Sequence, residues 1–210
     1  EQIASRFKDY DEHLLFEGMN EPRIVGGQDE WTGGTEEERE VINNLFAAFV
    51  ETVRKSGGNN ATRSLIITGH AAAIDEKAVK GIKVPDDDHI IVSIHAYAPY
   101  SFALDQSGTS TFSDSDKSEL DKNFDFLKST FIDKGIPVII GEFGSLNKDN
   151  MSDRVKHMEY YVSAAKARGI TCFIWDNGVK DGEGAFGLLN RKDGSWYFKD
   201  IVDAAMNGLE

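Results

Sequence analysis

Phe16-Glu17-Gly18-Met19-Asn20-Glu21-Pro22 sets the reading of the whole chain. The apolar run Leu14-Leu15-Phe16 predicts a strand over residues 13–19, and an Asn-Glu pair stopped by a proline closes it. Pro22 has no N–H for a ladder and biases Glu21 towards extended backbone, so the carboxylate is held at a strand's C-terminal end. A second apolar run, Pro137-Val138-Ile139-Ile140-Gly141-Glu142-Phe143-Gly144, ends in the same way. Parallel α/β sheets keep their chemistry at that end of the strand.

Three more short apolar runs, Ser64–Thr68, His89–His95 and Thr171–Trp175, complete five predicted strands. Between them lie segments with helical periodicity. Thr35 and Glu38 form a capping box for a helix expected to bury Val41, Leu45, Phe49 and Val53. A second helix from about Ser115 carries Leu120, Phe124, Leu127 and Phe131 inward. A third from about Ser152 carries Val155, Met158, Val162 and Ala165, and a last from about Ser195 carries Trp196, Ile201 and Ala205. The N-terminal Glu1–Asp9 reads as a helix tail with Ile3 and Phe7 at i, i+4 on one face. All-apolar strands alternating with amphipathic helices specify an α/β fold with a parallel sheet. No glycine-rich phosphate loop opens the sheet, which favours a (β/α)8 TIM barrel over a doubly wound sheet. Five βα units are counted where a barrel needs eight.

Composition narrows the function. The 210 residues, 40% hydrophobic and 28% charged, suit a globular chain with a sizeable core. A net charge of -13 opposes binding to nucleic acid or an anionic membrane and leaves a neutral polymer as a fitting partner. The lone Cys172, inside Cys172-Phe173-Ile174-Trp175, reads as a small strand residue and not a reactive thiol. No His, Cys, Asp or Glu cluster has metal-ligand spacing, and no cofactor is expected.

Two carboxylates on one rim suit glycoside hydrolysis, in which one protonates the leaving oxygen and the other attacks or activates water. For either glutamate alone, a solvated loop residue is the ordinary alternative. His95 and Tyr97 leave their strand on one side of its pleat, each able to donate to a carboxylate or a sugar hydroxyl. A single His is more often a satisfied core residue. Trp175, followed by Asp176-Asn177-Gly178, offers a flat apolar face at a rim. Trp31, in a loop with Gly26, Gly27, Gly33 and Gly34, is balanced between sugar platform and packing aromatic.

Asn20-Glu21-Pro22, His95-Ala96-Tyr97, Gly141-Glu142-Phe143-Gly144 and Trp175-Asp176-Asn177-Gly178, taken together, resemble glycoside hydrolase family 5. The longer stretches Phe16–Arg23 and His95–Tyr100 resemble its subfamily 4 of endo-β-1,4-glucanases and xyloglucanases. The resemblance implies Glu21 as general acid/base, Asn20 as the residue bonding the sugar 2-hydroxyl, and Glu142 as nucleophile. It implies Tyr97 and His95 as supports of the nucleophile, and Trp175 as the platform under the sugar whose bond is cut. It further implies a retaining double displacement on a β-glucan. Mannan or xylan stands as an alternative substrate, and a non-catalytic sugar-binding fragment as an alternative of another class. The five strands would be the family's strands four to eight. Residues 1–210 are then expected to be the C-terminal part of one secreted catalytic domain, partnered by strands one to three, in the same polypeptide or as a separate chain.

Overall fold

The computed structural model describes residues 1–210. Five strands form one sheet in the order β1-β2-β3-β4-β5, and the β1–β2, β2–β3 and β4–β5 pairs are parallel. The chain falls into two compact units, Glu1–Ile94 with Lys134–Val138, and His95–Asp133 with Ile139–Glu210. No helix is long and apolar enough to cross a membrane.

In the first unit, α1 (Gln2–Phe7) precedes β1 (Phe16–Glu17), α2 (Glu36–Lys55), β2 (Leu65–Ile67), α3 (Glu76–Lys80) and β3 (Ile90–His95). The capping box on α2 forms as expected, with Thr35 accepting from the Glu38 N–H and Glu38 accepting from the Thr35 N–H. The buried stripe of α2 differs from the expected one. Ile42, Phe46, Val50 and Val53 face the sheet, while Val41 and Leu45 are half exposed. Both sets have helical spacing, and periodicity alone does not choose between two adjacent apolar stripes. In α1, Ala4 is buried and Ile3 is exposed. β1 is far shorter than the run from 13 to 19, because the chain leaves the ladder after the Gly18 N–H bonds Ile66 O at 3.2 Å. Gly18 is needed there, since a Cβ would lie 2.9 Å from Phe46 on α2. Buried Arg63 ties the entry segment down, donating to the carbonyls of Phe7, Tyr10, Asp11 and Leu14.

The second unit holds α4 (Tyr100–Ala103), α5 (Asp114–Thr130), most of β4 (Val138–Phe143), α6 (Met151–Lys166), β5 (Thr171–Ile174) and α7 (Lys199–Asn207). Here the expected core is the observed one on α5, where Leu120, Phe124 and Leu127 are fully buried. Tyr161 of α6 stacks on Phe143 of β4 at 4.2 Å between ring centroids. Two expectations are corrected. The last helix starts at Lys199, and Trp196 precedes it in an antiparallel bridge to Leu189, half exposed and not inward. β5 is not buried on both faces, because it is the last strand of the sheet and Phe173 and Ile174 are open to solvent. Cys172 is half-buried, and burial pushes its thiol up to about 12, which makes it inert.

Candidate active site

The Glu21 side lies wholly in the first unit. Beyond β1 the chain is held by a turn and by side chains, and not by the ladder. Pro22 O accepts the Ala71 N–H at 2.9 Å, from a turn in which Ala71 and Ala72 both have positive φ. Arg23 turns back on Glu21: its Nη1 donates to the Glu21 carbonyl at 2.9 Å and to Glu21 Oε2 at 3.3 Å. Its Nε donates to Glu30 Oε1 at 2.8 Å, and the Trp31 ring lies 4.3 Å from the guanidinium carbon. Glu30 is fixed in turn by the Gly26 N–H at 2.8 Å. The Arg23 hydrogen bond, then that N–H, hold the Glu30 carboxyl below the usual range. Asn20 is exposed beside Glu21, and Trp31 is 60% exposed.

His70, at the exit of β2, is buried with its Nε2 3.7 Å from Glu38 Oε2. Burial pushes its imidazole below the usual range, partly offset by Glu38. Gly34 makes room for it, since a Cβ there would stand 2.3 Å from the ring and the backbone has φ of +65°.

The Glu142 side lies in the second unit and is built into the sheet. Glu142 O accepts the Ala96 N–H at 2.9 Å, and the next residue, Phe143, accepts the Trp175 N–H at 2.8 Å. Tyr97 donates its hydroxyl to Glu142 Oε2 at 2.7 Å, and buried His95 brings Nδ1 to 3.6 Å from the same oxygen. At that distance His95 is an electrostatic neighbour and not a hydrogen-bond donor to Glu142. Two buried residues of α6 grip the backbone on either side of Tyr97: Tyr161 donates to Ala96 O at 2.8 Å, and His157 Nε2 to Ala98 O at 2.9 Å.

Trp175 is 41% exposed at the end of β5. The two residues after it fasten the glycine-rich loop. Asp176 accepts backbone N–H groups from Gly178, Leu188 and Leu189, and Asn177 bonds Gly184, Val179 and Phe186. Burial alone raises the Asp176 carboxyl, but the three N–H donors more than offset it and hold the group below its usual value. Asn147 belongs to this fastening too, donating to Lys180 O at 3.0 Å.

In the second unit the structure therefore brings together His95, Tyr97 and Glu142, while Asn20, Glu21 and Trp31 share one rim segment of the first. Sequence reasoning missed Arg23, Glu30 and Tyr161, and takes His157 as structural, which its buried bond to Ala98 O matches. Arg23 carried a signal, as a cation two residues past the carboxylate; Tyr161 carried none.

Known proteins resemble this chain in sequence and in fold. The model of cellulase (glycosyl hydrolase family 5) matches residues 1–181. Endoglucanase 1 of Ruminococcus albus is 53% identical over 204 residues, covering 96% of this chain and 50% of that protein. Among solved structures, a GH5-4 broad specificity endoglucanase from Clostridium acetobutylicum superposes with a TM-score of 0.96 at 44% identity, covering 98% of this chain and 63% of that one. A GH5-4 broad specificity endoglucanase from Ruminococcus champanellensis with bound cellotriose gives 0.94 at 48% identity, covering 98% of this chain and 60% of that one. The chain thus spans about half the length of the curated relatives it matches, and its strands are part of a (β/α)8 barrel. With the model matched over most of its length and its motif residues at the strand exits, the chain belongs to glycoside hydrolase family 5.

Proposed function

We propose that the full protein is a retaining endo-β-1,4-glucanase that cuts internal bonds of cellulose-like glucans, mixed-linkage β-glucan or xyloglucan outside the cell. The observation that carries the reading is the Tyr97 hydroxyl on Glu142 Oε2 at 2.7 Å, at the exit of a parallel strand. A carboxylate oriented by a charge-assisted bond and fixed through its own backbone suits a nucleophile. Glu21, four residues beyond the end of β1, suits the acid/base. In this reading both carboxyls serve one sugar ring, a double displacement whose direct attack on the anomeric carbon calls for a separation of about 5 Å. Glu142 attacks as Glu21 protonates the departing oxygen, and Glu21 then takes a proton from the water that releases the sugar. Asn20 bonds the 2-hydroxyl, and Trp175 and Trp31 offer flat faces to pyranose rings.

The exposed strand edges fit a larger barrel. β1 is bordered by Leu15, Leu45 and Phe49 around a groove of about 530 Å³, and β5 leaves Phe173 and Ile174 open. We infer that further strands of the same barrel cover both. Reducing-sugar assays of the full polypeptide on barley β-glucan, xyloglucan, mannan and xylan test the substrate. Strong release from the first two and little from the others is expected, and the reverse order would overturn the assignment.

A further inference from the structure

The rim segment after β1 holds one cation through three residues. Arg23 donates to the backbone and the side chain of Glu21, is held at Nε by Glu30, and lies against Trp31. Its side chain is only 20% exposed, with Glu21 at 21% and Glu30 at 15%, so these are shielded contacts and not fluctuating surface pairs. We propose that Arg23 is a positioning residue for the general acid, aiming the Glu21 carboxyl and receiving the charge that appears on it, with Glu30 and Trp31 holding Arg23 in place. This rests on the reading of Glu21 as acid/base.

The chemistry follows from where the proton sits. The shorter bond, to the Glu21 carbonyl at 2.9 Å, fixes the peptide that carries the carboxyl. The longer one, to Oε2 at 3.3 Å, favours an unprotonated Oε2 and so leaves the proton on Oε1. In the bond-breaking step that proton moves to the glycosidic oxygen. The carbon–oxygen bonding pair goes to the same oxygen, Glu142 forms the new bond to the anomeric carbon, and Glu21 is left as a carboxylate beside a guanidinium. A contact that strengthens as charge develops lowers the barrier, whereas one of equal strength throughout does not. Glu30 balances the charge of Arg23 and holds its guanidinium in place beside Glu21.

The test uses leaving groups. With the full polypeptide, kcat/KM is measured on phenyl β-cellobioside, which needs a proton on its leaving oxygen, and on 2,4-dinitrophenyl β-cellobioside, which does not. Glu21→Ala is the reference. Arg23→Ala is expected to lose about 10- to 100-fold on the phenyl substrate, the cost of one charged contact, and about threefold or less on the dinitrophenyl one. Arg23→Lys should recover part of the loss, and Glu30→Gln should show the same selectivity at smaller amplitude. Rates are set against active sites titrated by the glycosyl-enzyme burst, and Glu30→Gln serves alone if Arg23→Ala does not fold. Equal losses on both substrates, with Glu21→Ala still selective, overturn the proposal and leave Glu21 as the acid. No selectivity in Glu21→Ala overturns the reading of Glu21 itself.

Discussion

Glu21 and Glu142 both stand at the exits of parallel strands, yet they are held by different means. Glu142 is inside β4, where the ladder bond from Ala96 fixes its backbone and Tyr97 fixes its carboxylate. Glu21 lies past the end of a two-residue strand, where the Ala71 N–H on Pro22 and the guanidinium of Arg23 do the same work. The difference matches the two proposed tasks. A nucleophile must reach one carbon along one line, and the sheet supplies that precision. An acid/base must serve a departing sugar and then an arriving water, and a side-chain harness permits a small change of aim.

The largest expected effect breaks the comparison if it fails. Glu142→Ala and Glu21→Ala should each abolish polysaccharide hydrolysis in the full polypeptide, by roughly 10⁴-fold or more for the nucleophile. Azide separates the roles. In Glu142→Ala it should enter the vacated nucleophile position and give the α-glycosyl azide. In Glu21→Ala it should attack the glycosyl-enzyme and give the β-azide. The same anomer from both variants would mean that the two glutamates do not divide the labour as described.

Much of this contrast was legible in the sequence, and the rest was hidden for identifiable reasons. The strand-exit carboxylates could be found because an apolar run ending in Glu is a local pattern, and the Tyr97–Glu142 bond follows from motif and pleat. The Arg23 harness joins Glu21, Glu30 and Trp31 through a loop whose path glycines at positive φ determine, including Gly26 and Gly33, and no periodicity encodes that path. The grip of Tyr161 and His157 on residues 96 and 98 spans about sixty positions of sequence, at separations of 65 and 59. On α2 the failure was one of choice between two stripes. Val41 and Leu45 form the one that remains open in this chain, and it lies on the same side of α2 as the β1 groove that Leu45 lines.

Acid should sharpen the comparison. His157, fully buried among Phe102, Phe112 and Tyr161, has its imidazole pushed down to about 4 by burial, offset in part by the bond to Ala98. In the unfolded chain the same group titrates near 6.5, so between those values the unfolded state binds the proton and the folded state does not. Stability is therefore full above pH 6.5 and declines as the pH falls towards 4, by on the order of 3 kcal/mol. His157→Gln keeps a donor for Ala98 O and should flatten the change of urea midpoint across that window. His70→Gln, on the Glu21 side, should flatten it less, because Glu38 already offsets part of the burial cost. Equal flattening by the two variants would remove this distinction between the sides.

The smallest effect tests the Glu142 side at a single atom. Tyr97→Phe removes the hydroxyl that donates to Glu142 Oε2 at 2.7 Å and keeps the ring that packs edge-on against Phe186 at 5.4 Å. One hydrogen bond to a charged group contributes about 1.5–3 kcal/mol, so a loss of about 10- to 100-fold in kcat/KM is expected, with the folding midpoint nearly unchanged. Because this bond acts on the nucleophile, the loss should be of similar size on phenyl and 2,4-dinitrophenyl β-cellobiosides, unlike the selective loss from Arg23→Ala. The paired profiles assign each support to its own glutamate: one variant blind to the leaving group, the other governed by it. A Tyr97→Phe enzyme that discriminates between the two substrates as strongly as Arg23→Ala would show that Tyr97 acts on the acid, and the division drawn between the two carboxylates would fall.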